Sequence, residues 1–128
     1  MGPDNHPVMQ HRPGGYPAWL FSDKKVRAVV SEKLIGRPAK SVADLRTAAH
    51  ERYRRYMQAT LWKPAGRAHY LAVQKCGNVL TLYMKMIWLY RRGFDSREIA
   101  QELGMSSGAV RQRLLRLNRI ALRLFPEA

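Results

Sequence analysis

Residues 95–117 read DSREIAQELGMSSGAVRQRLLRL, and the fold turns on this stretch. Asp95 and Glu98 have the spacing of a capping box, in which the first carboxylate accepts a free N–H of the opening turn and the second reaches back. Ile99, Ala100 and Leu103 fall on one face of the helix that follows. Gly104 stands where the chain must reverse, because glycine reaches positive φ without a Cβ clash. Ser106 caps a further helix, in which Val110, Leu114, Leu117, Ala121 and Leu124 recur at helical spacing as an inward stripe.

Two short helices joined by a tight turn predict a helix-turn-helix. Ala100 is small where the helices cross, Gly104 makes the turn, and Val110 fills the angle between them. Ser107, Gly108, Arg111, Gln112, Arg113 and Arg116 are left facing outward. That set suits a DNA major groove: arginine bonds guanine O6 and N7, glutamine bonds adenine N6 and N7, and small residues let a helix tip enter. The expected base readers are Ser107, Gly108, Arg111 and Gln112. The expected phosphate contacts are Ser106, Arg97, Arg113 and Arg116, with Arg54 and Arg55 from an earlier helix.

The totals agree with a polyanionic partner. The chain has 128 residues with 23 Lys and Arg against 9 acids, a formal charge of +14, and 46% hydrophobic residues. Such a chain can build a real core, and self-repulsion of that size is commonly tolerated where nucleic acid is bound. An anionic membrane surface is the second polyanion to consider. The longest apolar run, Val79 to Tyr90, is interrupted by Thr81 and Lys85 and is too short to span a bilayer, so it reads as a buried helix. No membrane association and no signal peptide are expected, and the lone Cys76 suits a reducing, cytoplasmic setting (a bacterial or phage nucleoid).

Working outward, residues 1–21 predict a flexible arm broken by Pro3, Pro7, Pro13 and Pro17, with Trp19, Leu20 and Phe21 docking its end. Residues 22–78 form the N-terminal helices. Ser22 caps a first helix over about 23–35, with Val26, Val29, Val30 and Leu34 on one face, and Gly36 ends it. Gly36-Arg37-Pro38-Ala39-Lys40 is an extended basic link. Ser41 opens a second helix whose stripe is Val42, Leu45, Ala49, Tyr53, Tyr56 and Thr60, with Arg46, His50, Arg54 and Arg55 opposite; Pro64 and Gly66 close it. A third helix runs from about Ala68 to Gln74, and Gly77-Asn78 either separates it from the next or weakens the pattern. Residues 79–128 form the last unit: a helix over about 79–92, apolar nearly all round and therefore central, then the helix-turn-helix. The expected fold is all-α, a small helical bundle with a C-terminal helix-turn-helix.

The segment GFDSREIAQELGMSSGAVRQRLLRLNRIALRLF, residues 93–125, resembles region 4 of bacterial sigma factors. It is similar to that family's order of Gly, capping residue, Glu-Ile-Ala, Leu-Gly-hydrophobic-Ser, then Val-basic-x-Arg-Leu-x-Arg. The resemblance covers about a third of the chain, from about Met84 to Phe125. It implies reading of a −35-like element by Ser107, Arg111 and Gln112, phosphate contacts by the flanking arginines, and RNA polymerase as a candidate partner. Upstream, no aromatic-rich signature of the promoter-melting region is found, so a stand-alone region 4-like regulator is expected.

Weaker signals stay open. Gly36-Arg37-Pro38 resembles the core of an AT-hook, so Arg37, Pro38 and Lys40 are either a minor-groove arm or a plain basic linker. Arg52, Arg54 and Arg55 either hold phosphates or form a solvated face. Leu115, Ile120, Leu122 and Phe125 lie off the inward stripe of the last helix, so they either pack on the N-terminal helices or form a homodimer seam. His6, His11, His50 and His69 show no metal-ligand spacing, and no catalytic pattern or phosphate-binding glycine loop occurs. No metal, no cofactor and no enzymatic activity are expected. The expected function is sequence-specific binding of double-stranded DNA by a transcription regulator, through the helix from about 106 to 125. The rivals are a DNA-recognition subunit of a larger machine (a sigma-like polymerase partner, a phage terminase small subunit or a transposase partner) and a non-specific RNA-binding protein.

Overall fold

A computed structural model describes residues 23–127 as helices and short links, with no strand among them. The expected arm, with Trp19, Leu20 and Phe21, the Ser22 cap, and His6 and His11 lie outside the described residues. The helices are α1 (Lys24–Ile35), α2 (Val42–Thr60), α3 (Pro64–Cys76), α4 (Val79–Arg91), α5 (Ser96–Leu103) and α6 (Ser107–Leu124).

The apolar α4 is the axis of the bundle, as its pattern predicts. Val79, Leu80, Leu82, Tyr83, Met84, Met86, Trp88 and Leu89 are all buried, and α1, α2, α3 and α5 pack around them. Lys85 is buried with them, and its ammonium reaches the Glu102 carboxylate on α5 at 4.0 Å. A buried lysine without that partner would be costly, so the contact helps to fix α5 against α4. Helix α6 packs along both α5 and α1. One core cluster therefore joins residues on both sides of the expected 78/79 boundary, from Val26 and Leu45 to Val110 and Ile120.

Local sequence accounts for most helix ends, with corrections. Asp23 caps α1, its carboxylate accepting from the Lys25 and Val26 amides at 3.0 and 3.2 Å. The same carboxylate meets Arg91 at 3.3 Å and ties the start of α1 to the end of α4. Ser41 caps α2 through the Asp44 amide. The buried stripe of α2 is Leu45, Ala49, Tyr53 and Met57; the expected Tyr56 is 39% exposed and Thr60 is half-buried. From Tyr53 the step of four stays on the stripe, whereas the step of three drifts to its edge. Gly77 and Asn78 do separate α3 from α4, with Asn78 capping α4 through the Thr81 amide.

Pro64 and Gly66 start α3 rather than close α2. Proline at the first helical position lacks only an N–H that has no intrahelical partner anyway. Gly66 is buried where α3 leaves the end of α2, and a Cβ there would sit 2.0 Å from the Thr60 carbonyl oxygen. No side chain fits without backbone movement. Gly66→Ala is expected to destabilise the protein by about 2 kcal/mol or more, read as a lower midpoint in urea unfolding. A midpoint within error of wild type would refute this close approach.

Candidate nucleic-acid interface

The corner between α5 and α6 is built from its caps. Asp95 accepts from the Glu98 amide at 2.8 Å, and Glu98 accepts from the Asp95 amide at 2.9 Å, completing the capping box. Gly104 has φ 72°, the left-handed region that its missing Cβ permits, and the Met105 amide donates back to the Ala100 carbonyl at 3.0 Å. Ser106 Oγ accepts from the Ala109 amide at 3.1 Å and starts α6. Ile99, Leu103 and Val110 are at most 1% exposed, so the angle is filled as expected.

The burial of α6 divides its residues into two faces. Val110, Leu117 and Ile120 are buried, and Leu114, Ala121 and Leu124 are partly buried. At 100° per residue, the opposite face centres on Gly108, Gln112, Leu115 and Arg119, with Arg111 and Leu122 on one flank and Arg116 and Arg123 on the other. Arg111, Gln112, Arg116 and Arg119 are exposed, while Ser107 and Gly108 are half-buried. The helix carries no acid. Arg123 pairs with Glu32 on α1 at 3.4 Å, but Arg111, Arg116 and Arg119 make no ion pair among the described residues. Arg119 was not among the sequence-derived candidates, although its place seven residues after Gln112 puts it on the same face.

Arg113 departs from expectation. It points into the body, where its Nε donates to the Tyr83 hydroxyl at 3.1 Å and its Nη1 to the Ala109 carbonyl at 3.2 Å. It does not join the outer face. The cause is the helical step: residue 113 lies one turn before Leu117 and three after Val110, beside the buried stripe. Of the off-stripe apolar residues, Ile120 is buried and Phe125 is half-buried with Lys25 over its ring at 5.5 Å, both against the N-terminal helices. Leu115 and Leu122 stay 44% and 53% exposed.

The other expected contacts are scattered. Ser106 lies at the tip, its Oγ accepting the cap bond with the hydroxyl proton still free to donate. Arg97 is exposed on the first turn of α5. Arg54 pairs with Glu51 at 3.1 Å, and Arg54 and Arg55 line a separate recess with Ile35, Arg37 and Ala48. The basic link is not a free arm. Arg37 forms a two-pronged pair with Asp44 at 2.9 and 3.0 Å and also donates to the Pro38 carbonyl, while the Lys40 amide donates to the same carboxylate. The Arg37 pair first, then the Lys40 amide, holds the Asp44 carboxyl well below the usual carboxylate range. Arg37, Pro38 and Lys40 thus fold back onto the start of α2.

Beside the tip of α6 a groove of about 540 Å³ opens toward α3, with Pro64, Ala65 and Ala68 facing Ser106, Gly108 and Gln112. A second recess of about 180 Å³ lies between α1, α2, α3, α4 and α6. His69, at 4% exposure, stacks edge-on against Tyr56 and tilted against Tyr53, with ring centroids 5.4 and 5.6 Å apart. Burial first, then the charges of Arg113 and Lys33, push its pKa down to about 4. Burial, then Arg113, Arg116 and Arg52, push Lys33 down to about 8.

No family model, no curated protein and no solved structure matches this chain. Among the described residues no helix is long and apolar enough to cross a membrane.

The His69 shift has a signed consequence. Its folded pKa lies below the unfolded 6.5, so as the pH falls the unfolded chain takes the proton first. This stability is fully present above pH 6.5 and is lost as the pH falls toward 4, by about 3 kcal/mol at most. His69→Phe keeps the ring contacts and removes the proton, so its stability should fall less steeply than wild type over that window. Parallel denaturation profiles for the two proteins would contradict the assignment.

Proposed function

We propose that this chain is a sequence-specific double-stranded DNA-binding transcription regulator that places the N-terminal turns of α6 in the major groove. The observation that carries the reading is the outer face of α6. It presents Gly108, Arg111, Gln112 and Arg119, free of acids, on a helix held at a fixed angle by α5. Gly108 and Ser107 leave the tip slim enough for close approach. Arg111 and Gln112 supply the bidentate chemistry that distinguishes guanine and adenine. Arg116, Arg119 and Arg97 supply phosphate contacts, and Leu115 can meet a thymine methyl. The resemblance of residues 93–125 to sigma region 4 supports the same placement. A −35-like element is then the natural kind of target and RNA polymerase a natural partner.

A second reading has its own observation. Leu115 and Leu122, seven residues apart and exposed, form an apolar line on α6 suited to another helix. That favours a homodimer or a DNA-recognition subunit of a larger machine, as in a polymerase-bound, terminase or transposase assembly. Light scattering on DNA-free protein separates the two: a monomer leaves the line to DNA, and a dimer or ring assigns it to protein.

In-vitro selection of duplexes from a random pool tests the main reading. Wild type is expected to enrich a defined sequence. Arg111→Ala and Gln112→Ala should each lose about 1–3 kcal/mol of discrimination at one or two base pairs. Arg119→Ala should instead weaken every duplex alike and reduce the slope of log affinity against log salt by about 1. An unchanged selected sequence for Gln112→Ala would refute the assignment of readers.

A further inference from the structure

The recess between α1, α2, α3, α4 and α6 is basic and incompletely satisfied. Tyr53 Oη and both His69 ring nitrogens are buried with no hydrogen-bond partner. Buried polar atoms are almost always bonded, and each one left alone opposes folding. Lys33, Arg52 and Arg113 line the same recess, with no carboxylate among its walls. Lys33 lies 5.5 Å from the centre of the Tyr83 ring and, like Arg52, has no ion pair among the described residues. Arg113 commits Nε and Nη1 within the protein, which leaves Nη2 for something else.

We propose that this recess is a binding site for a phosphate group. Lys33, Arg52 and Arg113 compensate its charge, and Tyr53 and His69 bond its oxygens. Donors converge from four helices, more than the two oxygens of a carboxylate can use. A phosphate monoester carries up to two charges and three terminal oxygens, each able to accept more than one hydrogen bond, so it can take all five donor residues. At about 180 Å³ the recess exceeds the roughly 150 Å³ of a cavity that takes benzene, so a small phosphate fits. The mutual repulsion of Lys33 with Arg113, Arg116 and Arg52 is what such an anion relieves. Tyr53 and His69 are 9% and 4% exposed, so their orphaned atoms belong to the interior and not to bulk water. The inference does not depend on the DNA-binding reading. The phosphate is inorganic phosphate or a monoester from solution, because a duplex backbone diester offers one charge and two free oxygens, and Arg113 links it directly to α6.

The test uses the full chain with three probes: sodium phosphate, sodium chloride at equal ionic strength, and a short DNA duplex. His69 ring nitrogen signals are followed by NMR and Tm by calorimetry. Phosphate is expected to shift the His69 signals and raise Tm saturably, while chloride does neither. Lys33→Met should weaken phosphate binding about tenfold or more. Tyr53→Phe should melt higher than wild type without phosphate, because an unsatisfied hydroxyl is gone, yet gain less on adding it. That opposite pair of effects is not the mark of a merely structural tyrosine. A His69 shift with the duplex but not with inorganic phosphate would mark the recess as a DNA contact and overturn the phosphate-monoester site. No His69 shift with inorganic phosphate, chloride acting as well as phosphate, or wild-type responses from both variants would each overturn it as well.

Discussion

The left-handed turn at Gly104 is the constraint on which the outer surface of this protein depends. Between two capped helices the chain reverses in three residues, and only there does the backbone leave the common regions within the α5–α6 unit. The capping box before it and the Ser106 cap after it satisfy the free amides at both helix starts. The angle so fixed lets Val110 reach full burial against Ile99 and Leu103. Every consequence for α6, including which arginines face outward, follows from that angle and from the contact of α6 with α1.

Those two supports sort five arginines on one helix into different roles. Arg113 is spent on Tyr83 and on its own backbone, and Arg123 on Glu32. Arg111, Arg116 and Arg119 stay outside. The inward arginine is not idle. It joins Lys33 and Arg52 around a recess in which polar atoms lack partners, so the interior of the bundle and the outer face of α6 share one positive field.

Much of this was legible in the residues. The capping box at Asp95 and Glu98, the apolar run of α4, and the order Ala100, Gly104, Val110 each have a local physical cause that sequence alone displays. The failures share a different cause. Arg113 and Arg111 are only two positions apart and chemically identical, but 200° apart round the helix. The helical step already sets Arg113 beside the buried stripe, and how far the buried arc widens to take it in is decided by α1, α4 and α5 closing on α6. The Tyr56-for-Met57 error is the same problem on α2. Pro64 suits a stop as well as a start, because proline ends and begins helices by the same missing N–H. The basic link looked like an extended arm because nothing local announces that Asp44, seven residues on, will capture Arg37.

The account is tested most directly by titrating isotope-labelled protein with a short duplex and mapping which backbone amides shift. The largest changes should fall on Ser107, Gly108, Arg111, Gln112 and Arg119, on the tip and outer face of α6. Changes centred instead on Arg54, Arg55 and the link at Arg37, with the α6 face silent, would contradict it.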